Sequence, residues 1–264
     1  MHTLLLRLAG PMQSWGTRSR FTERDTELEP SKSGVLGLLC AALGIDRSVW
    51  DTPLSPSKFA LEPLTKLRMG VRVDREGILR REYQTVMNVR HADGSGPSNA
   101  VSNRYYLADA VFLVGLEGED SGLLADIYHH LNNPVWPLFL GRKSYVASPD
   151  VYLPVGSDVP SGLRLDENLE TAFEKYPFLP ALVIENDGKG KFQFVVGKEA
   201  VKSFPEDFSC RCMVEPKQDE SQVGSPRMDV PISSFSERKF GRRYVVPHQI
   251  NFKRSEGSIC TSPA

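Results

Sequence analysis

The first apolar run, Thr3–Ala9, has the length and density of a buried β-strand. The next segment changes period: Val35, Leu38, Leu39, Ala42 and Leu43 fall on one broad helical face, with Gly34, Gly37 and Ala41 together beside it. The spacing predicts a helix over Ser33–Leu43, closed by Gly44 and the apolar Ile45 in a left-handed cap. Leu67–Val73 reads as a strand, Ala110–Leu116 as a buried strand, and Gly122–Leu131 as a helix stopped by Asn-Asn-Pro. Ile78–Val89 and Val101–Leu107 read as the two arms of a long polar insertion. Strand, helix, strand, insertion, strand, helix is a β-α-β-β-α-β unit short of its last strand, which is expected near Tyr145–Leu153. The expected class is α+β: a ferredoxin-like (RRM-like) domain over residues 1–155 with a β-hairpin inserted at about 78–107.

Beyond Val155 the texture changes. Leu182–Glu185 and Phe192–Val196 flank Asn186-Asp187-Gly188-Lys189-Gly190, a hairpin signal. Residues 205–231 are rich in Pro, Ser, Gln and acids and predict a flexible loop. Val230–Ile232 and Tyr244–Val246 are the last expected strands, and the tail after Phe252 is expected to be disordered. Residues 156–264 therefore read as a smaller β-rich C-terminal region. No internal repeat is present.

Composition adds little to this until charge is mapped. The 264 residues are 40% hydrophobic and 25% charged, as in a folded soluble protein. No apolar run of about 18 residues exists and no signal-peptide pattern opens the chain, so no membrane partner is expected. Four cysteines in a chain of this length point to a reducing, cytoplasmic setting. The net charge is −1, but it is polarised. Lys66–Tyr105 carries eight Lys/Arg against four Asp/Glu, and Glu237–Arg254 six against one; Ser157–Asp187 reverses to two against seven. Such a distribution suits a polyanion on one side and a basic partner on the other, and it equally suits solvated faces.

Candidate chemistry is sparse. The first strand breaks into "LRLAGPMQSWG", with Gly10, Pro11, Trp15 and Gly16 inside seven residues. Strand, glycine loop and helix is the P-loop order, but Thr17-Arg18 stands where Lys-Ser/Thr is required, and no G-x-G-x-x-G occurs. A nucleotide-binding protein is thereby set aside. Pro30-Ser31-Lys32-Ser33 precedes the small-residue helix, with Arg18, Arg20 and Arg24 nearby in sequence. This fits a phosphate at a helix N-terminus, or an ordinary serine cap with a snorkelling lysine. Cys210-Arg-Cys212 has no partner pair at zinc spacing and reads as two small side chains on one strand face. His129 lies opposite the stripe of Leu123, Leu124, Ile127, Tyr128 and Leu131, and His130 lies on its flank, so neither is a placed general base. The aromatic motif of RRM proteins is missing.

Six segments carry a resemblance: "LLLRLAGPMQSWG", "PSKSGVLGLLCAALGI", "REYQTVMNVRHADG", "NRYYLADAVFLVGLEG", "NPVWPLFLGRKSYVASP" and "MDVPISSFSERKFGRRYV". In that order they resemble the CasD family of type I-E Cascade subunits, within the repeat-associated mysterious protein (RAMP) superfamily. The segments run from residue 3 to about 245; residues 155–225 carry little of the likeness. The resemblance implies a RAMP ferredoxin-like body, an inserted thumb hairpin and a small C-terminal sheet. It implies a non-catalytic subunit in antiviral defence that caps the crRNA 5′ handle and contacts the Cascade backbone and large subunits. Target DNA would be met only through the complex, and no cofactor or metal is implied. The thumb would be about Ile78–Leu107 with its tip at His91–Asn99.

On that reading the RNA-binding residues are Gly10, Gln13, Trp15, Gly16, Arg18 and Arg20 in the glycine loop and after it. Lys32, Ser33 and Gly34 would form the helix seat, with Trp15 as a packing anchor. Arg81, Arg90, Arg104 and Tyr105 would serve from the thumb, and Arg142 and Lys143 from "LGRKS". The competing function is a metal-independent endoribonuclease that processes precursor crRNA, as in type I-C relatives with a Tyr-Lys-His set. No residue here is placed on that set by motif.

Overall fold

The computed structural model describes residues 1–19, 22–54, 57–148, 150–155, 159–186, 192–217, 223–255 and 258–261. The strands of its main sheet are β1 (His2–Ala9), β4 (Arg68–Arg75), β7 (Val111–Gly118), β8 (Leu163–Arg164), β11 (Asp207–Val214), β12 (Ser225–Pro231), β13 (Phe240–Ser255) and β14 (Ser258–Thr261). Outside it lie β2 (Met12–Gln13), β3 (Glu23–Arg24), β5 (Ile78–Val89), β6 (Ser98–Ala108), β9 (Leu182–Asn186) and β10 (Phe192–Val196). The helices are α1 (Lys32–Leu43), α2 (Leu61–Thr65), α3 (Ser121–Asn132), α4 (Leu169–Lys175) and α5 (Lys198–Lys202).

The main sheet runs β12-β13-β11-β4-β7-β1-β8 with β14 on β13, and every pairing in it is antiparallel. β1 and β7 are buried along almost their whole length because the sheet is covered on both faces, and Thr3, Arg7 and Glu117 are the polar residues carried into it. Leu4, Leu6 and Leu8 join the core beneath α1 and α3, whereas Leu5 and Ala9 join a second core with Leu169, Phe173 and Tyr176 of the α4 region. α4 comes down onto the paired glycines Gly70 and Gly115, where a Cβ would lie 2.9 Å and 2.2 Å from Leu169. Arg72 is fully buried beside them. It grips Asp74 at 2.7 and 2.8 Å and donates to the carbonyls of Phe173, Tyr176 and Pro177, so its desolvated charge is met on every side.

Three expectations change. Tyr145–Leu153 is not a strand. The edge beside β1 is filled instead by two stretches: Ser148 and Val151 bond Ala9 and Arg7, then Gly162 and β8 bond Leu5, Leu4 and Thr3. Leu153 and Gly162 close the excursion between them by a 3.0 Å backbone bond. Residues 205–231, expected as a flexible loop, hold β11 and β12. β11 inserts between β4 and β13 and buries Cys210 and Cys212 on one face, so the C-terminal strands continue the sheet that begins at β1. The tail after Phe252 continues β13 and returns as β14. The tip of the β9–β10 hairpin, residues 187–190, lies outside the described residues, but its arms pair as expected.

The insertion is a long hairpin. β5 and β6 pair from Ile78↔Ala108 to Val89↔Ser98, with an irregularity at Val86–Val89 where Asn88 has φ 58°. The other edge of β6 is completed by β2 and β3, from the glycine loop and the segment after it.

That loop is welded to the "LGRKS" segment. Ser14 N–H donates to Leu140 O at 3.0 Å, and Ser148 N–H to Ala9 O at 2.9 Å. The approach is close enough to require glycine on both sides. A Cβ on Gly10 would meet Val146 O at 2.7 Å, and one on Gly141, at φ 91°, would meet Ser14 O at 1.7 Å. We expect Gly141→Ala to destabilise the fold by about 2 kcal/mol or more, through positive φ and backbone collision together. Gly94→Ala, at φ 78° with nothing within 4 Å, should show only the conformational part, about 1 kcal/mol. Urea unfolding of the two variants separates the effects; equal losses would mean that the contact carries no energy.

Candidate nucleic-acid interface

α1 begins one residue before the expected start. Ser31 is its N-cap, accepting from Gly34 N–H at 3.3 Å, so Ser33 is a first-turn residue and not the cap. Lys32 departs from the expected RNA contact. Its side chain is buried, with Nζ 3.0 Å from Glu215, and its N–H donates to Asp229 at 2.7 Å. Arg243 clamps Asp229 at 2.7 and 2.9 Å and reaches Glu215 at 3.2 Å. Two cations and two carboxylates are thus enclosed under the first turn. Burial pushes the Lys32 ammonium below its ordinary value, and Glu215 pulls it partway back. A carboxylate already meets part of the positive end of α1. The N–H groups of Lys32, Gly34 and Val35 are bonded, and that of Ser33 has no hydrogen-bond partner among the described residues.

Ser33 and Gly34 open onto a groove of about 460 Å³. Its floor is Trp15, Ser31, Ser33 and Gly34. One wall comes from the glycine loop, β3 and "LGRKS", and supplies Arg24, Asp25 and Arg142. The other comes from the turn after α1 and from residues 235–240, and supplies Arg47, Phe235, Arg238 and Phe240. Four guanidinium groups face one carboxylate here, in a chain whose net charge is −1. Concentrated like charge in a concave site is the electrostatic footprint of an anion-binding surface.

The structure sorts the expected site residues into those lining this groove and those holding it together. Trp15, Gly16, Ser33, Gly34 and Arg142 line it. Trp15 is also the anchor: it is 1% exposed, and a Cβ on Gly34 would collide with its ring at 2.9 Å. The close approach that Gly34 permits is therefore made by Trp15. Gln13, expected as an RNA contact, is turned inward. It is fully buried, donates to Leu8 O and Ala110 O, and accepts from the Trp15 indole at 3.2 Å. Gly10 is spent against Val146, and Gly16 against the Asp25 carbonyl, 2.6 Å from its would-be Cβ.

Arg18 is exposed on the far side of the α1 N-terminus, in a smaller cavity of about 220 Å³ with Glu27, Glu29 and Arg227. Arg20 lies outside the described residues. Arg142 lies over the Tyr145 ring and donates to the Tyr145 hydroxyl at 2.8 Å and to Arg24 O at 3.2 Å, which ties Arg24 and Arg142 to one wall. Lys143 is exposed and outside the groove. Arg81 and Arg90 are exposed on the hairpin; Arg104 and Tyr105 are half-buried near its base, and none of the four lines the groove. Arg47, Arg238 and Phe240 were missed by residue-level reading. The signals for Arg238 and Phe240 were the basic excess of Glu237–Arg254 and the segment "MDVPISSFSERKFGRRYV", neither of which singled them out, and nothing marked Arg47.

The remaining chemistry is quiet. Burial pushes the Cys40 and Cys212 thiols up to about 12 and the Cys210 thiol higher still, so these are inert core residues. His129 is exposed and His130 packs edge-on against Phe59. No group of three His, Cys, Asp or Glu among the described residues could hold a metal. No helix among them is long and apolar enough to cross a membrane.

A sequence profile for the family of CRISPR-associated protein (Cas_Cas5) matches residues 3–246, nearly the whole sheet and all of the groove. The chain belongs to this family. Its relative in Escherichia coli (strain K12), the CRISPR system Cascade subunit CasD, is 35% identical over 159 residues, 57% of this chain and 69% of that one. A solved Cas protein crystal structure is 38% identical at TM-score 0.64, covering 99% of this chain and 100% of its own. A chain of a CRISPR RNA-guided surveillance complex is 28% identical at TM-score 0.67, covering 98% and 91%. For this Cas_Cas5 chain the fold is thus the family's mixed α/β build around antiparallel sheets.

The ion cluster beneath the groove has a pH signature. Burial pushes the Asp229 carboxyl up, but the Arg243 guanidinium and the Lys32 N–H outweigh it and hold it below its ordinary value. The stability it contributes is complete above about pH 4, the unfolded value, and is lost as pH falls through the lower folded value. Asp229→Asn should cost about 3 kcal/mol at neutral pH and flatten the stability profile below about pH 4. Urea unfolding of both proteins at pH 7 and pH 3 checks this, and parallel profiles would contradict it.

Proposed function

We propose that this chain is a non-catalytic RNA-binding subunit of a type I-E CRISPR Cascade complex, seating the crRNA 5′ handle in the arginine-walled groove. The carrying observation is the convergence of four separate segments on that groove. The glycine loop, the α1 N-terminus, "LGRKS" and the 235–240 turn meet there with four guanidinium groups against one carboxylate. The relative in the Cascade complex and the structural likeness to a surveillance-complex chain support the same reading. The strand order β4-β7-β1-β8, with α1 and α3 on one face, supports a ferredoxin-like body. The β5–β6 hairpin suits a reaching thumb: Tyr83, Val86 and Met87 are exposed along it, surface that a neighbouring backbone subunit can cover.

The absence of a cleavage mechanism is part of the proposal. Metal-free RNA cleavage needs a base to activate the 2′-hydroxyl and a cation for the phosphorane. The groove supplies cations, but no His, Lys or Tyr is among its lining residues, and its carboxylate, Asp25, is engaged by the Arg18 N–H and the Ser19 hydroxyl. Purified chain incubated with repeat RNA, with EDTA and again with magnesium, should leave the RNA intact. Site-specific cleavage lost on mutating one side chain would favour the endoribonuclease instead.

The assembly test is co-purification. Tagged chain expressed with the other subunits and a CRISPR array should bring down crRNA-sized RNA and its partners. Replacing His91–Asn99 by a short turn should leave a folded chain that still binds RNA but loses the adjoining subunit on size exclusion. Normal assembly by that variant would reduce the hairpin to a solvated surface feature.

A further inference from the structure

The groove is more specific than a basic patch. Its cations fall into two sets, each tied together by a backbone carbonyl. Arg142 donates to the Arg24 carbonyl, which joins that pair on the glycine-loop side. On the other side Arg47 O accepts from Ser236 N–H at 2.9 Å, which binds the Arg47 turn to the segment carrying Arg238. Arg238 has φ 55°, a conformation a long side chain adopts only where its surroundings enforce it.

The aromatic residues divide differently. Phe235 packs on the core, its ring 3.9 Å from the Cβ position of Gly37. Phe240 also lines the groove, is half-buried, and belongs to none of the hydrophobic clusters or ring pairs of the described residues. An aromatic ring outside the hydrophobic clusters, in a groove lined by four arginines, is a side chain on which a base can stack. A volume of about 460 Å³ falls in the range of sites that take one small ligand, about 300–1,000 Å³.

We propose that the groove holds one nucleotide turned out of the RNA path, its base on Phe240 and its flanking phosphates divided between the Arg24–Arg142 and Arg47–Arg238 pairs. This rests on the reading of the chain as an RNA-binding subunit and adds the mode of binding. The Ser33 N–H on the floor is positioned for a phosphate or a sugar hydroxyl. Because Asp229 already meets the neighbouring N–H, the guanidinium pairs carry most of the attraction. A strand entering along one wall and leaving along the other must bend sharply at the lodged nucleotide.

The test uses the full chain and labelled single-stranded RNA of the repeat sequence, with an abasic site walked through every position. Phe240→Leu keeps an apolar contact but removes the ring, and should weaken unmodified RNA by about 5- to 150-fold, the value of one stacked base. One abasic position should cost a similar factor in wild type and nothing further in Phe240→Leu. Changing both arginines of one pair to glutamine should lower the salt slope by about 0.7, and changing all four by about 1.4. If RNA binds but the Phe240 variant and the abasic walk leave affinity unchanged, the lodged nucleotide is overturned while the RNA-binding reading stands. Equal losses at every abasic position, or an unchanged slope in the four-arginine variant, overturn it likewise. Failure of the folded wild-type chain to bind any of these RNAs overturns both.

Discussion

The contact between Gly141 and the carbonyl of Ser14 is where this structure has least freedom. No side chain fits between the two backbones, and Gly141 sits at a φ that suits glycine. Gly10 makes the reciprocal approach to Val146. Together they fix the glycine loop to "LGRKS", and everything at the groove refers to that weld. Arg142 is held over Tyr145 and reaches Arg24; Trp15 is delivered into the space beside Gly34; Gln13 ties the loop back to β1 and to Ala110. A loop that looked shaped for a ligand is shaped first for its own chain. What it leaves at the surface is part of the rim of the groove.

A second constraint divides the cations into those used by the fold and those left at the surface. Lys32 and Arg243 are enclosed with Glu215 and Asp229, and Arg72 with Asp74. Such enclosed charges hold elements in register, because removing one partner strands the other in low dielectric. Here they tie α1 to β12, β13 and the residues after β11, so the C-terminal strands prop the floor of the groove. Arg24, Arg47 and Arg238 are exposed by contrast, and Arg142 is half-buried, with no carboxylate partner among the described residues. The small-residue stripe of α1 follows the same logic. Gly34 admits Trp15, Gly37 meets Phe235, and Ala41 and Ala42 accept backbone bonds from Trp136 and Val135 at 3.0 Å.

Much of this was legible in the chain, because local chemistry writes it there. The period of α1 and its Gly44 cap, the doubly buried β1 and β7, the stop after α3 and the two arms of the hairpin all follow from patterns that neighbouring residues set among themselves. The unusual density of glycine and tryptophan in residues 10–16 marked the loop that matters, and "LGRKS" marked its counterpart. β11 was legible only at its centre, where Cys210-Arg-Cys212 reads as one strand face; the polar residues on either side made the rest look like loop. A strand laid against β4 and β13 from far along the chain draws its stability from those neighbours and needs no strong propensity of its own.

What tertiary structure alone decided is which charged side chains remain available. Lys32 and Ser33 are adjacent in sequence, yet one is sealed against Glu215 and the other opens onto the groove, since successive residues of a helix point about 100° apart. Arg47 and Arg238 are separated by most of the chain and meet because Ser236 bonds the Arg47 carbonyl. Sequence determined that this chain folds around a two-faced antiparallel sheet and carries a clustered excess of arginine. Whether an arginine neutralises a buried carboxylate or faces a polyanion depends on long-range contacts that desolvate it, and no pattern of neighbours along the chain encodes those.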